Sequence, residues 1–184
     1  MRDLKALAIN LILYKIGWFG AVTLAAAGRP WGGVPLLLAL IGIHLRLVPE
    51  WRSEARLVVS CALLGLAVDS MQMWAGILTF DGGHLVGWLC PPWIVLMWAQ
   101  LGTTLRYCVR FLQGRYLLAA VMGAVAGPLS FHAGAGMGAV ALHPDGWMAT
   151  ASLAVSWLVA MPLMMWMAGP RRADSLLNPG VARG

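Results

Sequence analysis

The sequence predicts an all-α fold, a polytopic transmembrane helix bundle of six spans with both termini on the cytoplasmic side. Three observations predict it. Apolar residues make up 60% of the 184 positions and charged residues only 11%, with a mean hydropathy of +0.77. A soluble domain carries about 25% charged residues, so a soluble fold of this size could not cover so much apolar surface. The apolar residues also fall into runs near the roughly 20 residues that a spanning helix needs. Finally, the basic residues segregate to alternate turns.

The first span covers residues 4–27. Arg2, Lys5 and Ala25-Ala26-Ala27 loosely imitate a cleavable signal peptide. Lys15 and Trp18 interrupt its apolar stretch, which reads instead as a retained helix. The second span, 33–48, is short and follows a Gly-Arg-Pro break; Pro49 to Glu54 form the next polar turn. The third covers 57–80. The fourth is set at 91–111, because Pro91-Pro92 cannot stand inside a regular helix but suits a first turn. The fifth covers 116–142 with a break at Gly127-Pro128, and the sixth covers 147–168 with Pro162 inside it. Residues 169–184 read as a mobile cytoplasmic tail.

Charge tests the count. Six spans put Arg2, Lys5, Arg46, Arg52, Arg56, Arg106, Arg110, Arg115, Arg171, Arg172 and Arg183 on one side and Arg29 alone on the other. That asymmetry defines the inside, and it supports both the count and the orientation. Trp31, Trp51, Trp88, Trp93, Trp147 and Trp166 fall near proposed helix ends, where amphipathic rings settle. Gly123, Gly127, Gly134 and Gly138 form small-xxx-small pairs that permit close helix approach or self-association through the fifth helix. The net charge of +6 is scattered and forms no nucleic-acid patch. Membrane lipids are the partners expected. Cys61, Cys90 and Cys108 lack framework spacing and read as thiols.

Ionisable residues inside spans are the most informative ones. Lys15 and Asp69 would lie roughly 16–18 Å into the first and third spans, near the midplane. Equal depth and opposite charge suggest a pair, whether structural or functional. Asp69 shares a helical face with Gly65, Gln72 and Gly76. Trp93, Met97, Gln100 and Thr104 make a similar stripe, as do Asn10, Tyr14, Gly17 and Trp18. Ser130 and His132 follow the Gly-Pro break. His132 could accept a proton or simply satisfy a neighbouring helix. A polar midplane pocket follows as the site expectation, lined by Asn10, Lys15, Trp18, Asp69, Gln72, Trp93, Trp98, Gln100, Ser130 and His132. The plainer alternative is polar contacts that join helices. Asp81, His84, His143 and Asp145 could meet around a metal, but Asp-Gly and Pro-Asp-Gly are ordinary turn sequences. No nucleotide, zinc-protease or redox motif is present, and no cofactor is expected.

The segment from Asn10 to Phe19, the run Pro92 to Trp98, and Gly127-Pro128-Leu129-Ser130-Phe131 with Gly134 resemble a family of small bacterial inner-membrane proteins of unknown function. Genes of that family often accompany cyclopropane-fatty-acid synthase-like lipid-modifying enzymes. The resemblance implies roles for Asn10, Trp18, Asp69, Trp93, Trp98, Pro128 and Ser130. The chain departs from it at Lys15, where glutamine is the family residue, and at Phe131, where tyrosine is. Three functions fit: handling or modifying a lipid or other hydrophobic molecule, ion- or proton-coupled transport, and scaffolding for lipid-modifying enzymes.

Overall fold

The computed structural model describes residues 2–169, with side chains from Leu7 onward; the expected tail lies, beyond Gly169, outside the described residues. The helices are α1 (Arg2–Ala26), α2 (Pro30–Leu47), α3 (Trp51–Trp74), α4 (Pro92–Gly102), α5 (Tyr116–Gly136) and α6 (Gly146–Ala168). Five of them are long and apolar enough to cross a membrane. Their outward faces are apolar as well: Leu117 is 82% exposed and Leu63 60%. A helix apolar on every side suits lipid, which asks for no polar outer face.

α4 departs from the expected fourth span. It has 11 residues, about 16 Å at 1.5 Å per residue, against the 21 anticipated. Pro92 sets its first turn. At its other end the Thr103 and Thr104 hydroxyls donate to the Gln100 and Leu101 carbonyls, each at 2.7 Å. Such local bonds compete with the helical ladder, and the chain continues through turns and a 3-10 helix, Arg110–Leu112. α3 is displaced the other way, starting at Trp51 and stopping at Trp74. α5 runs unbroken through Pro128, so the anticipated break is absent; it ends at Gly136 instead of residue 142.

Two strands went unanticipated. β1 (Leu78–Thr79) and β2 (Ala141–Leu142) pair antiparallel with Leu78 opposite Leu142. They fasten the end of α3 to the end of α5. The opposite end of the bundle gathers the first turns of α1 and α3, residues 103–113 and the end of α6. There the Asn10 amide donates to the Thr103 carbonyl at 3.0 Å, and Arg106 donates to the Ala168 carbonyl at 2.8 Å. Glu54 is buried among His44 at 3.2 Å and Arg106 at 3.0 Å. Arg46, Arg52, Arg56, Arg106, Arg110 and Arg115 all lie in the turns and helix ends on this side, whereas Arg29 sits in the α1–α2 turn at the other.

Helix pairs close through glycine. A Cβ at Gly123 would overlap the Trp157 carbonyl, and one at Gly127 would overlap the Trp157 ring. This part of the small-residue stripe therefore packs α5 against α6 within the chain. All three cysteines are free thiols.

Candidate functional site: an aromatic cavity around Asp69

Asp69 lies on the buried face of α3, five residues before its C-terminal end, with 0% of its surface exposed. Because α3 ends at Trp74, that position is roughly 7 Å from the helix end and not at its middle. One turn earlier, Gly65 leaves room for the Trp98 ring, which a Cβ there would overlap. The approach lets the Trp98 indole donate to Asp69 Oδ2 at 2.7 Å. The other carboxyl oxygen, Oδ1, is buried without a protein partner. Among the described residues, no Lys, Arg or His forms an ion pair with Asp69; the ion pairs all involve Glu54.

Trp98 stacks on Trp157 of α6, ring centroids 4.5 Å apart and planes 18° from parallel. The Trp157 indole N–H is also buried and unpartnered. Trp18 of α1 donates to the Ser130 hydroxyl of α5 at 3.0 Å. Among the described residues this is the one side-chain hydrogen bond joining those two helices. Between these groups lies a cavity of about 60 Å³, or about 550 Å³ of space with its open side counted. Trp18, Asp69, Trp93, Trp98, Trp157 and Ser130 line it, together with Tyr14, Phe131, Gly134 and the Ala139-Val140 turn.

The ten tryptophans divide cleanly. Trp31, Trp51, Trp74, Trp88, Trp147 and Trp166 are at least 49% exposed, at or near helix ends. The remaining four, Trp18, Trp93, Trp98 and Trp157, all line the cavity. Trp93, grouped by sequence with the helix-end rings, is 3% exposed and meets Phe80 edge-on at 5.8 Å.

Of the ten expected site residues, the structure brings Trp18, Asp69, Trp93, Trp98 and Ser130 together. Lys15 is exposed on α1 and makes no ion pair with Asp69. Asn10 belongs to the polar cluster at the far end, donating to Thr103 and bonded to His44. Gln72 turns to α6, where its amide donates to the Ser156 hydroxyl at 2.6 Å. Gln100 fills the notch at Gly17 and donates to the Leu13 carbonyl at 2.9 Å. His132 is exposed and bonds the Thr150 hydroxyl at 2.8 Å. In the loops, both His84 ring nitrogens meet backbone carbonyls, and Asp145 caps α6. Among the described residues no cluster of His, Cys, Asp or Glu could hold a metal.

Sequence reading missed Trp157. Its signal was the pair Gly123 and Gly127, which needed a large partner on a facing helix. Only the α5–α6 contact reveals which residue supplies it.

Five helices of membrane-spanning length and a tryptophan-walled cavity around a buried carboxyl group define a multi-pass membrane protein. The chain belongs to the family described as protein of unknown function (DUF2878), whose model matches residues 7–163. No curated protein and no solved structure matches the chain.

Proposed function

We propose that the protein binds a lipid or another hydrophobic small molecule bearing a polar group, in the cavity around Asp69. The observation that carries this reading is Asp69 Oδ1, buried and unpartnered on a wall that is otherwise almost wholly apolar and aromatic. Ligand sites have this composition: an apolar lining with a few convergent polar groups. Buried polar atoms nearly always find partners, and Trp157 Nε1 is a second such atom on the same lining. Transport is less well supported. It would use Lys15, Asp69 and a broken α5, and of these only Asp69 lies on the cavity.

The same proposal sets the chain in a bacterial inner membrane with six crossings. α4 and residues 103–112 together make the fourth crossing, and both termini are cytoplasmic. Its support is the crowding of arginines at the end that carries the α2–α3 turn and residues 103–115, as the positive-inside rule requires. Membrane lipids, and enzymes that modify them, are the partners this reading expects.

The test is mass spectrometry of lipids and metabolites that co-purify with wild type and with Asp69→Asn. A specific molecule held by the wild type and lost from the variant is the expected result. Only bulk membrane lipid in both would sink the proposal and favour a scaffold.

A further inference from the structure

We infer that the ligand of the Asp69 cavity carries an organic ammonium group together with a neighbouring oxygen acceptor. This rests on the ligand-binding reading above and narrows it. The one carboxyl group on the cavity lining is that of Asp69, and no Lys, Arg or His lines it. Six of the fifteen lining residues are aromatic, and aromatic faces carry negative potential that attracts cations. Carboxylate and rings thus select the same sign of charge. Neither favours a ligand that carries negative charge without a cation.

The kind of cation follows from the donors. A hard metal ion asks for six or more oxygen ligands. Here the side-chain oxygens are those of Asp69, Ser130 and Tyr14, and the Ser130 hydroxyl already accepts from Trp18. An organic ammonium needs far fewer. Its diffuse charge suits ring faces, its alkyl groups suit Ile94, Met97 and Leu101, and one N–H or polarised methyl can meet Asp69 Oδ1. The Trp157 indole N–H adds a second requirement. It must meet an acceptor, which an alkyl ammonium alone lacks. An amino alcohol or its phosphate ester carries both groups.

Two sources supply that chemistry, a lipid headgroup and a free amino alcohol. The cavity lies where α3 and α5 finish, and Asp69 is roughly 7 Å from the end of α3. A headgroup would need to descend less than two helical turns. The seam between α1 and α5, bridged by Trp18 and Ser130, faces the cavity.

The experiment titrates full-length purified protein with choline and with its uncharged isostere 3,3-dimethylbutan-1-ol, following tryptophan fluorescence. Choline should bind saturably and about tenfold or more tightly than the isostere. Asp69→Asn should narrow that difference, and Trp93→Leu should weaken choline more than the isostere. The wild-type ratio needs no variant, so a poorly folding substitution does not protect the inference. Equal binding of the two probes, or binding of neither, overturns it. Retention of an uncharged molecule in the co-purification experiment would then still uphold the wider ligand-binding reading. Nanodiscs of equal phosphatidylethanolamine and phosphatidylglycerol, released into native mass spectrometry, separate the sources. Retained phosphatidylethanolamine assigns the headgroup. Choline selectivity without lipid preference assigns the free amine.

Discussion

Trp98 and Asp69 hold one another across the α3–α4 interface, with the indole N–H 2.7 Å from carboxyl Oδ2. Asp69 has no other hydrogen-bond partner among the described side chains; it lines the cavity, and its second oxygen is buried without a partner. The two oxygens therefore have separable duties. Oδ2 fixes α3 to α4, and Oδ1 is the oxygen that the proposed ligand would meet.

That separation predicts opposite behaviour for two substitutions. Trp98→Phe removes the donor and leaves a fully buried carboxyl without any protein partner, at a cost of about 1–3 kcal/mol. The unfolding midpoint in detergent should fall accordingly. Asp69→Asn keeps a carbonyl oxygen that can accept from Trp98, so its midpoint should move far less while ligand retention is lost. Equal destabilisation by both would show that Asp69 serves packing alone.

The α5–α6 contact makes a second prediction. Gly127 lies against the Trp157 ring with no space for a Cβ. Gly127→Ala should destabilise by about 1–3 kcal/mol, the usual cost of overpacking. Trp157→Ala alone should also destabilise, through the loss of a large stacked ring. In the double variant the methyl group occupies part of the vacated space, so the two losses should sum to less than their separate values. A double-mutant cycle on thermal unfolding measures the difference, and strict additivity would place these residues apart.

Much of the arrangement was legible in the residues, and the gaps have physical causes. Apolar runs and arginine segregation mark α1, α2, α3, α5 and α6, because length and charge are properties of the chain itself. The end of α4 escaped because hydropathy does not register threonine hydroxyls that capture their own turn's carbonyls. Asp69 was visible as a charge among apolar residues. Its depth was not, since Trp51 to Glu54 read as part of a polar turn but begin α3. That same shift concealed Glu54, which points inward from the first turn to His44 and Arg106. The pairing of Trp18 with Ser130 spans 112 residues, a separation that no local pattern reports.

Glu54 supplies a third prediction. It is 3% exposed and is paired with both His44 and Arg106. Glu54→Ala removes the shared anion and leaves the buried side of Arg106 without that partner. Breaking a buried pair in this way costs about 3–5 kcal/mol. Glu50→Ala, on the exposed turn four residues earlier, should change stability by no more than about 0.5 kcal/mol. Thermal unfolding of the two variants side by side decides it. Similar midpoints would mean that the cluster is incidental.

Orientation can be read by labelling single cysteines in intact cells with a membrane-impermeant maleimide. Glu50→Cys lies in the α2–α3 turn and Asp81→Cys in the exposed loop after β1, at opposite ends of the bundle. With cytoplasmic termini, the label should reach Asp81→Cys once the outer envelope is permeabilised, and Glu50→Cys only after lysis. The reverse pattern would invert the proposed topology. Labelling of both before lysis would remove the crossing between them.

Lys15 gives the sharpest contrast with Asp69. Sequence placed the two at equal depth with opposite charge, which suggested a mutual pair. In the structure Lys15 is exposed on α1, while Asp69 is enclosed among α3, α4 and the tryptophans. An exposed lysine on an apolar helix can extend its long stem so that the ammonium reaches the polar interface. Lys15→Gln should therefore leave the Trp98–Asp69 bond, the cavity and ligand retention unchanged, and should shift stability by no more than about 0.5 kcal/mol. The check is co-purification mass spectrometry of Lys15→Gln beside Asp69→Asn. Retention intact in the first and lost in the second locates the binding charge on Asp69 alone. Loss in both would mean that Lys15 reaches the cavity in the membrane, and the site would have to be redrawn around an ion pair.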